Sequence, residues 1–201
     1  KNFDEALHQD PHLTDAFYNR GNAHFAQKQY QAAVKDYDEV IKQTPKSTTA
    51  YYHRGEAYTG LGQFEKAIQD FDQAQKLNPK APEIYSSRGL AQRRLGKHDL
   101  AVKDYSEAIK LNAKDAEAYN NRGNAYVLLG KYDQALKDYD EAVKLDPKNA
   151  RIYGNRGVAK LRQGKNEEAQ KDFKKAMELE PSLKEKLEPL MNDPKALPPQ
   201  P

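Results

Sequence analysis

A 34-residue pattern recurs through nearly the whole chain and limits the folds that the chain can adopt. An arginine–glycine pair keeps this period: Arg20-Gly21, Arg54-Gly55, Arg88-Gly89, Arg122-Gly123 and Arg156-Gly157. A proline series keeps it too, with Ala113 in the missing place: Pro11, Pro45, Pro79, Pro147 and Pro181. Two aromatic series and one alanine series follow the same period. Repeats of this length are typical of stacked supersecondary units.

Within each unit the apolar residues have the spacing of α-helices. In residues 116–149, for example, Tyr119, Gly123 and Tyr126 share one face of a first helix. Glycines follow where this helix should end in a left-handed residue: Gly62, Gly96, Gly130 and Gly164. N-cap residues stand where the helix should begin: Ser47, Asp115 and Asn149. Each unit is therefore predicted to be a helix, a tight turn and a second helix.

This arrangement resembles the tetratricopeptide repeat family in its unit length, its aromatic–glycine–aromatic first helix, its alanine–aromatic–alanine second helix and its closing proline. The resemblance covers five units: 14–47, 48–81, 82–115, 116–149 and 150–183. It implies an all-α fold, a right-handed superhelical solenoid of antiparallel helix pairs. It also implies that the first helices line a concave surface where another polypeptide is held.

The two ends of the chain differ from the repeats. Residues 1–10 are predicted to be the second helix of a truncated upstream repeat, because residues 1–6 mirror residues 137–142. Residues 182–191 are predicted to form a C-terminal capping helix that covers the last unit, with Pro189 kinking or ending it. Residues 193–201 contain four prolines and are expected to be a flexible tail.

The arginine of each Arg-Gly pair has an acidic residue 16 positions later. This second series is Asp36, Asp70, Asp104, Asp138 and Asp172. We expect an ion pair between the two helices of each unit, for example between Arg122 and Asp138. Its expected role is structural.

The composition excludes several function classes. The 33 basic and 30 acidic residues nearly balance, so nothing favours a nucleic acid as partner. No apolar stretch approaches the ~18–20 residues that a membrane span needs. The chain has no cysteine, its five histidines are scattered, and it has no phosphate-binding loop or catalytic motif. We therefore expect no enzyme, no cofactor and no metal. The compartment stays open: a soluble protein is expected, cytoplasmic or, after removal of a signal, exported.

The candidate site consists of first-helix residues that the repeat pattern does not use for packing. Of the 13 tyrosines and 6 phenylalanines, Tyr18, Phe25 and Tyr52 are left over and should face the concave surface as apolar anchors. The same surface is predicted to include Asn19, Asn22, His53, Glu56, Ser86, Ser87, Leu90, Arg93, Arg94, Asn120, Asn121, Asn124, Val127, Leu128, Arg151, Asn155, Val158, Leu161 and Arg162.

Asparagine amides can grip the backbone of an extended peptide, because each offers donors and an acceptor. Asn19, Asn121 and Asn155 resemble the asparagine ladder in the repeat domain of O-linked N-acetylglucosamine transferase, interrupted here by His53 and Ser87. Asparagine is also common at this place in the family, so ordinary repeat residues without a ligand are the alternative.

Some family members bind chaperone C-terminal tails through a clamp of lysines, asparagines and arginine. The lysine places hold other residues here, among them Tyr18, Tyr52 and Glu117. Chaperone tails are therefore not the expected partners.

The sequence predicts a non-enzymatic scaffold that binds a polypeptide segment of another protein. Arg93, Arg94, Arg151 and Arg162 favour an acidic stretch in that partner. One alternative is head-to-tail self-association through an exposed apolar end of the repeat stack. The other is that the chain is the recognition arm of a longer protein.

Overall fold

The computed structural model describes residues 3–10, 12–193 and 197, apart from the side chains of Asp4 and Ala6. Within these residues the regular structure is helical. The helices are α1 Phe3–Gln9, α2 Thr14–Ala26, α3 Tyr30–Gln43, α4 Thr48–Gly60, α5 Phe64–Leu77, α6 Pro82–Arg94, α7 His98–Leu111, α8 Ala116–Leu128, α9 Tyr132–Leu145, α10 Ala150–Arg162, α11 Asn166–Leu179 and α12 Lys184–Asn192, with a 3-10 turn at Pro181–Leu183.

The helices form two compact units, Lys1–Lys97 and His98–Pro201, called here the first unit and the second unit. In the first unit α2 packs on α3 and α4 on α5, and in the second α8 packs on α9 and α10 on α11. Every first helix of these pairs has 13 residues and every second helix 14. The all-α architecture of paired helices is confirmed.

Close approach of the two helices explains the repeated glycine. A Cβ atom added at Gly123 would lie 2.8 Å from the ring of Tyr139, nearer than real side chains come. The ring of Tyr139 is buried, and Ala135 and Ala142 beside it on α9 are fully buried. The same conflict arises in the other described pairs: Gly21 with Tyr37, Gly55 with Phe71, and Gly157 with Phe173. In the core of each pair an aromatic ring of the second helix therefore packs directly against the glycine backbone of the first helix.

The turns and caps follow the sequence prediction with two differences. Glycines with positive φ, such as Gly130 at 70°, end the first helices, while the first repeat places Lys28 there at φ 59°. Asp115 caps α8, its carboxylate accepting from the backbone N–H groups of two residues in the first turn. Ser47 likewise caps α4. Asn149 occupies the N-cap position of α10 as predicted, but its side chain does not cap the helix, and its amide donates to Asp146 at 3.1 Å instead.

The predicted ion pairs within repeats are confirmed in four repeats. Arg122 donates from Nε and Nη2 to the two carboxylate oxygens of Asp138, at 2.8 and 2.7 Å. The equivalent pairs are Arg20 with Asp36, Arg54 with Asp70 and Arg156 with Asp172. The hydrogen bond to Asp138 raises the pKa of Arg122. Arg88 and Asp104 belong to different units, and their pairing stays a prediction.

The same arginines also reach back to the preceding repeat, which the sequence analysis missed. Arg54 contacts Asp38 at 2.6 Å, Arg88 contacts Asp72 at 2.6 Å and Arg156 contacts Asp140 at 2.8 Å. In the second unit Ser106 takes the place of the aspartate, and Arg122 donates to its hydroxyl at 2.9 Å. Arg54, Arg122 and Arg156 therefore each join the two helices of their own repeat and link that repeat to the one before.

The C-terminal helix forms at nearly the predicted place. Leu187 of α12 is buried, and Leu190 and Met191 pack on the cluster around Phe173. Pro189 does not end the helix, which continues to Asn192. Of the predicted flexible tail only Asp193 and Leu197 are described, and Leu197 packs against the same cluster. The rest of the tail lies outside the described residues, as do Pro11 and the first two residues of the chain.

Candidate peptide-binding surfaces

The predicted groove residues fall on two surfaces. The first-unit surface is the part of α2, α4 and α6 that carries them, and the second-unit surface is the corresponding part of α8 and α10 together with α12. The two are described separately, because α6 ends one compact unit and α7 begins the other.

Aromatic rings dominate the first-unit surface. His53 lies in contact with three tyrosine rings: Tyr52 at a centroid distance of 5.2 Å, Tyr18 at 5.7 Å and Tyr37 at 6.0 Å. Burial lowers the pKa of His53, so the imidazole is neutral at neutral pH. The sequence analysis placed Tyr18, Tyr52 and His53 on this surface but did not foresee that they form one cluster.

The expectation that Tyr18, Phe25 and Tyr52 have no role in packing is wrong. Tyr18 and Phe25 pack against the cluster around Tyr37, and Tyr52 packs against the cluster around Phe71. All three side chains nevertheless remain half-exposed. They can therefore contact a ligand with one edge while the other edge supports the fold.

Asn22 and Asn124 are not free amides. Each accepts a hydrogen bond from a buried tyrosine hydroxyl of its own repeat, Asn22 from Tyr37 at 2.8 Å and Asn124 from Tyr139 at 2.7 Å. Where the second helix carries phenylalanine instead of tyrosine, the first helix carries Glu56 or Val158 at this position. In these four repeats the asparagine therefore accompanies the tyrosine hydroxyl, whereas the third repeat combines Tyr105 with Leu90 at this position.

Asn120 and Asn155 contact each other across the neighbouring first helices α8 and α10. Asn155 donates to the amide oxygen of Asn120 at 2.9 Å, and Asn120 is only 5% exposed. The equivalent residues of the first unit are Tyr52 and Ser87, whose hydroxyls lie 3.4 Å apart. Asn120 is therefore largely buried and held by Asn155, and its role as a backbone clamp stays a prediction. Asn19 is exposed and Asn121 half-buried, so both remain accessible.

A crevice of about 220 Å³ opens on the second-unit surface. Asn124, Arg151, Gly154, Asn155 and Val158 form one side of it, and Leu183, Lys186, Leu187 and Leu190 form the other. Both cations are exposed, and neither has an ion-pair partner within the described part of the chain. The sequence analysis identified the α8 and α10 side. It missed the α12 side because those leucines were assigned to capping alone.

The remaining predicted residues lie near the helix ends. Leu90 and Arg93 of α6 are half-buried and Arg94 is exposed. Arg162, the last residue of α10, is half-buried and engaged in another interaction. Elsewhere in the first unit a cavity of about 730 Å³ is lined by α2, α3 and α4, and Tyr18 is the predicted groove residue that borders it.

No helix in the described residues combines the length and the hydrophobicity that a membrane span requires. No group of three or more histidine, aspartate or glutamate side chains in the same residues is placed to hold a metal ion.

Comparison with family models identifies the repeat along most of the chain. Models described as tetratricopeptide repeat match residues 1–48, 18–82 and 150–183, and a model described as TPR repeat matches residues 92–130 and 123–164. The search of curated proteins gave no significant match.

Solved structures with the same fold include other repeat proteins. A crystal structure of MamA protein is 28% identical with a TM-score of 0.75, over 87% of this chain and 95% of that one. A MamA structure from Desulfovibrio magneticus RS-1, described as 41-end, is 23% identical with a TM-score of 0.78, over 84% and 96%. YrrB, described as a TPR protein with an unusual peptide-binding site, is 23% identical with a TM-score of 0.72, over 90% and 93%. The last two show the fold alone.

Proposed function

Because the chain belongs to the tetratricopeptide repeat family, we propose that it is a non-catalytic scaffold that binds a polypeptide segment of another protein on its first helices. The observation that carries this proposal is the crevice between α10 and α12. A crevice of this size receives side chains of an extended or helical segment rather than a folded domain.

The chemistry of the crevice favours an acidic segment with an apolar side chain. Val158, Leu183, Leu187 and Leu190 offer apolar walls, so an aliphatic or aromatic side chain is removed from water there. Arg151 and Lys186 flank these walls, and among the described residues neither has a carboxylate partner. A carboxylate of the ligand would form a charge-assisted hydrogen bond with either cation. Asn155 keeps an amide oxygen that can accept from a ligand backbone.

A library of random peptides displayed on phage tests this proposal, because it requires no candidate partner. The full chain should enrich peptides that combine aspartate or glutamate with a large apolar residue. In the double variant Arg151→Glu, Lys186→Glu the preference for acidic residues should disappear, because the new carboxylates repel them. The matched control is Lys103→Glu, Lys174→Glu, which reverses two exposed cations outside both surfaces and should leave the selection unchanged.

Two results would contradict the proposal: no enrichment with the unaltered chain, or the same enriched sequences with the charge-reversed variant. Light scattering on the free chain tests self-association in parallel. A mass that grows with concentration and is unaffected by the selected peptides would favour the alternative of copies binding one another.

A further inference from the structure

One half-buried carboxylate on the first-unit surface lacks a cation. The buried aspartates Asp36, Asp70, Asp138 and Asp172 each accept two or more hydrogen bonds from an arginine. Glu56 of α4 instead interacts with the hydroxyl of Ser87. No lysine, arginine or histidine of the described chain forms an ion pair with it. Glu56 thus differs from the buried aspartates, whose charge is neutralised by an arginine.

Apart from its hydrogen bond with Ser87, Glu56 lacks the contact that its equivalents make within their own repeats. At the same position Asn22 and Asn124 accept from tyrosine hydroxyls, whereas the second helix of this repeat carries Phe71, which has no hydroxyl. The other repeat with phenylalanine places Val158 there. Burial raises the pKa of Glu56, which means that the ionised side chain is less stable here than in water. The hydrogen bond with Ser87 lowers the pKa of Glu56 and so offsets only part of this cost, because burial is the larger influence.

The surroundings of Glu56 suit a positive charge. Tyr52 lies one turn before Glu56 on α4, and its hydroxyl is 3.4 Å from that of Ser87. After burial, the charges of Glu56 and Glu83 raise the pKa of Tyr52. His53 is neutral and lies against the rings of Tyr52 and Tyr18. The faces of tyrosine rings carry partial negative charge and attract cations. The cluster of Glu56, Tyr52 and His53 is therefore an aromatic and anionic site that lacks its counter-charge.

We propose that this cluster binds the ammonium or guanidinium group of a lysine or arginine side chain in the bound polypeptide. The inference rests on the proposed function in one respect, namely that the cation arrives on a polypeptide. Ionised Glu56 forms the ion pair, and the rings of Tyr52 and His53 enclose the alkyl stem and the charge. A polypeptide bound on the first-unit surface then carries a basic residue, whereas one bound in the crevice of the second unit carries acidic and apolar residues.

A small-molecule titration followed by NMR tests the site directly. The probe is Nα-acetyl-lysine N-methylamide, and its control is the norleucine analogue, which has the same stem without the charge. The lysine compound should shift the Glu56 carboxyl resonance, lower the pKa of that carboxyl and broaden the His53 ring signals, while the norleucine compound should not. In Glu56→Gln the response to the lysine compound should vanish, and in Glu65→Gln, an exposed residue of α5, it should persist.

Thermal stability separates a binding role from a structural one. If Glu56 serves a ligand, Glu56→Gln raises the Tm of the free protein because a costly buried charge is removed. If Glu56 serves the fold, the same change lowers the Tm, and the proposal is overturned. A lysine compound that causes no shift at Glu56, or the same shifts in Glu56→Gln, overturns it as well.

The peptide library distinguishes failure of the proposed cation site from failure of the proposed polypeptide binding as a whole. Selection on Glu56→Gln should lose the enrichment of lysine and arginine and keep that of acidic and apolar residues. A basic peptide selected by the unaltered chain should bind the variant about tenfold to a hundredfold more weakly, as expected for loss of a charge-assisted hydrogen bond. Enrichment of acidic and apolar residues without any basic preference would overturn the cation site alone.

Discussion

The first-unit and second-unit surfaces are built from equivalent positions of the repeat pattern but differ in chemistry. Where the first unit places Tyr52 and Glu56, the second places Asn120 and Asn124. The first surface is aromatic around a carboxylate without a cation, and the second has cations without a carboxylate beside an apolar crevice. Below both surfaces the framework is the same: a ring against a glycine, and an arginine bound to an aspartate. Because the framework is shared, a surface residue that differs from its equivalents in the other repeats is a candidate for a role in function.

Removal of the framework arginine should have the largest effect and should be similar in both units. In Arg54→Ala and Arg122→Ala a buried aspartate loses its partner, which costs about 3–5 kcal/mol when a buried pair is broken. Denaturant unfolding measures the loss, and the cycle of Arg122→Ala with Asp138→Ala isolates the pair. Absence of coupling in that cycle would show that the pair is not a framework element.

Substitution of the framework glycine should have the next largest effect. In Gly55→Ala and Gly123→Ala the new Cβ meets a buried ring at 2.7 and 2.8 Å, so a loss of about 1–3 kcal/mol is expected. The matched control is Gly154→Ala on α10, where the nearest side-chain atom is 4.0 Å away. There the helix should be unchanged or more stable, since alanine is the better helix former. Equal losses at all three positions would show that contact with the ring is not the cause.

The framework could be predicted from the sequence because each of its residues occurs several times at one spacing. Gly123 and Arg122 could be assigned from a single repeat, since their partners lie in the same helix pair. The candidate site was harder. Whether Asn124 is free depends on the hydroxyl of Tyr139, and whether Asn120 is free depends on Asn155 of the next repeat. The hydrogen bond between Tyr139 and Asn124 lies within one helix pair, but this combination recurs only in the first and fourth repeats. The contact between Asn155 and Asn120 requires the register between adjacent first helices, which the 34-residue period alone does not specify.

A smaller effect is expected from the pH dependence of stability, to which Glu56 and His53 of the first-unit surface contribute. The pKa of Glu56 is higher in the folded chain than its ordinary value, so the folded state binds this proton more tightly than the unfolded state. Stability contributed by this group therefore falls as pH rises from the ordinary glutamate range through the raised pKa. The lowered pKa of His53 acts in the opposite direction at pH values below that of an ordinary histidine.

Comparison of unfolding curves for the unaltered chain and Glu56→Gln at several pH values isolates the Glu56 contribution. The variant should be the more stable at neutral pH, and the difference should shrink as the solution becomes acidic. Glu65→Gln is the control and should show neither effect, because that side chain is exposed in both states. A difference that grows on acidification would contradict the assignment of Glu56 as a carboxylate destabilised by burial.

The smallest expected effect concerns the contact between Arg122 and Ser106, which links two repeats of the second unit by a hydrogen bond without an ion pair. Arg54 and Arg156 bind an aspartate of the preceding repeat, whereas Arg122 finds the hydroxyl of Ser106. Ser106→Asp should restore the ion pair and stabilise the chain by at most about 1 kcal/mol, because the equivalent aspartates are half-exposed and screened by solvent. The gain should fall as salt is added. The matched change Asp38→Ser should produce a loss of similar size in the first unit. If Ser106→Asp destabilises the chain instead, the negative charge of the neighbouring aspartates outweighs the new bond, and the serine is the better partner for an arginine that already holds Asp138.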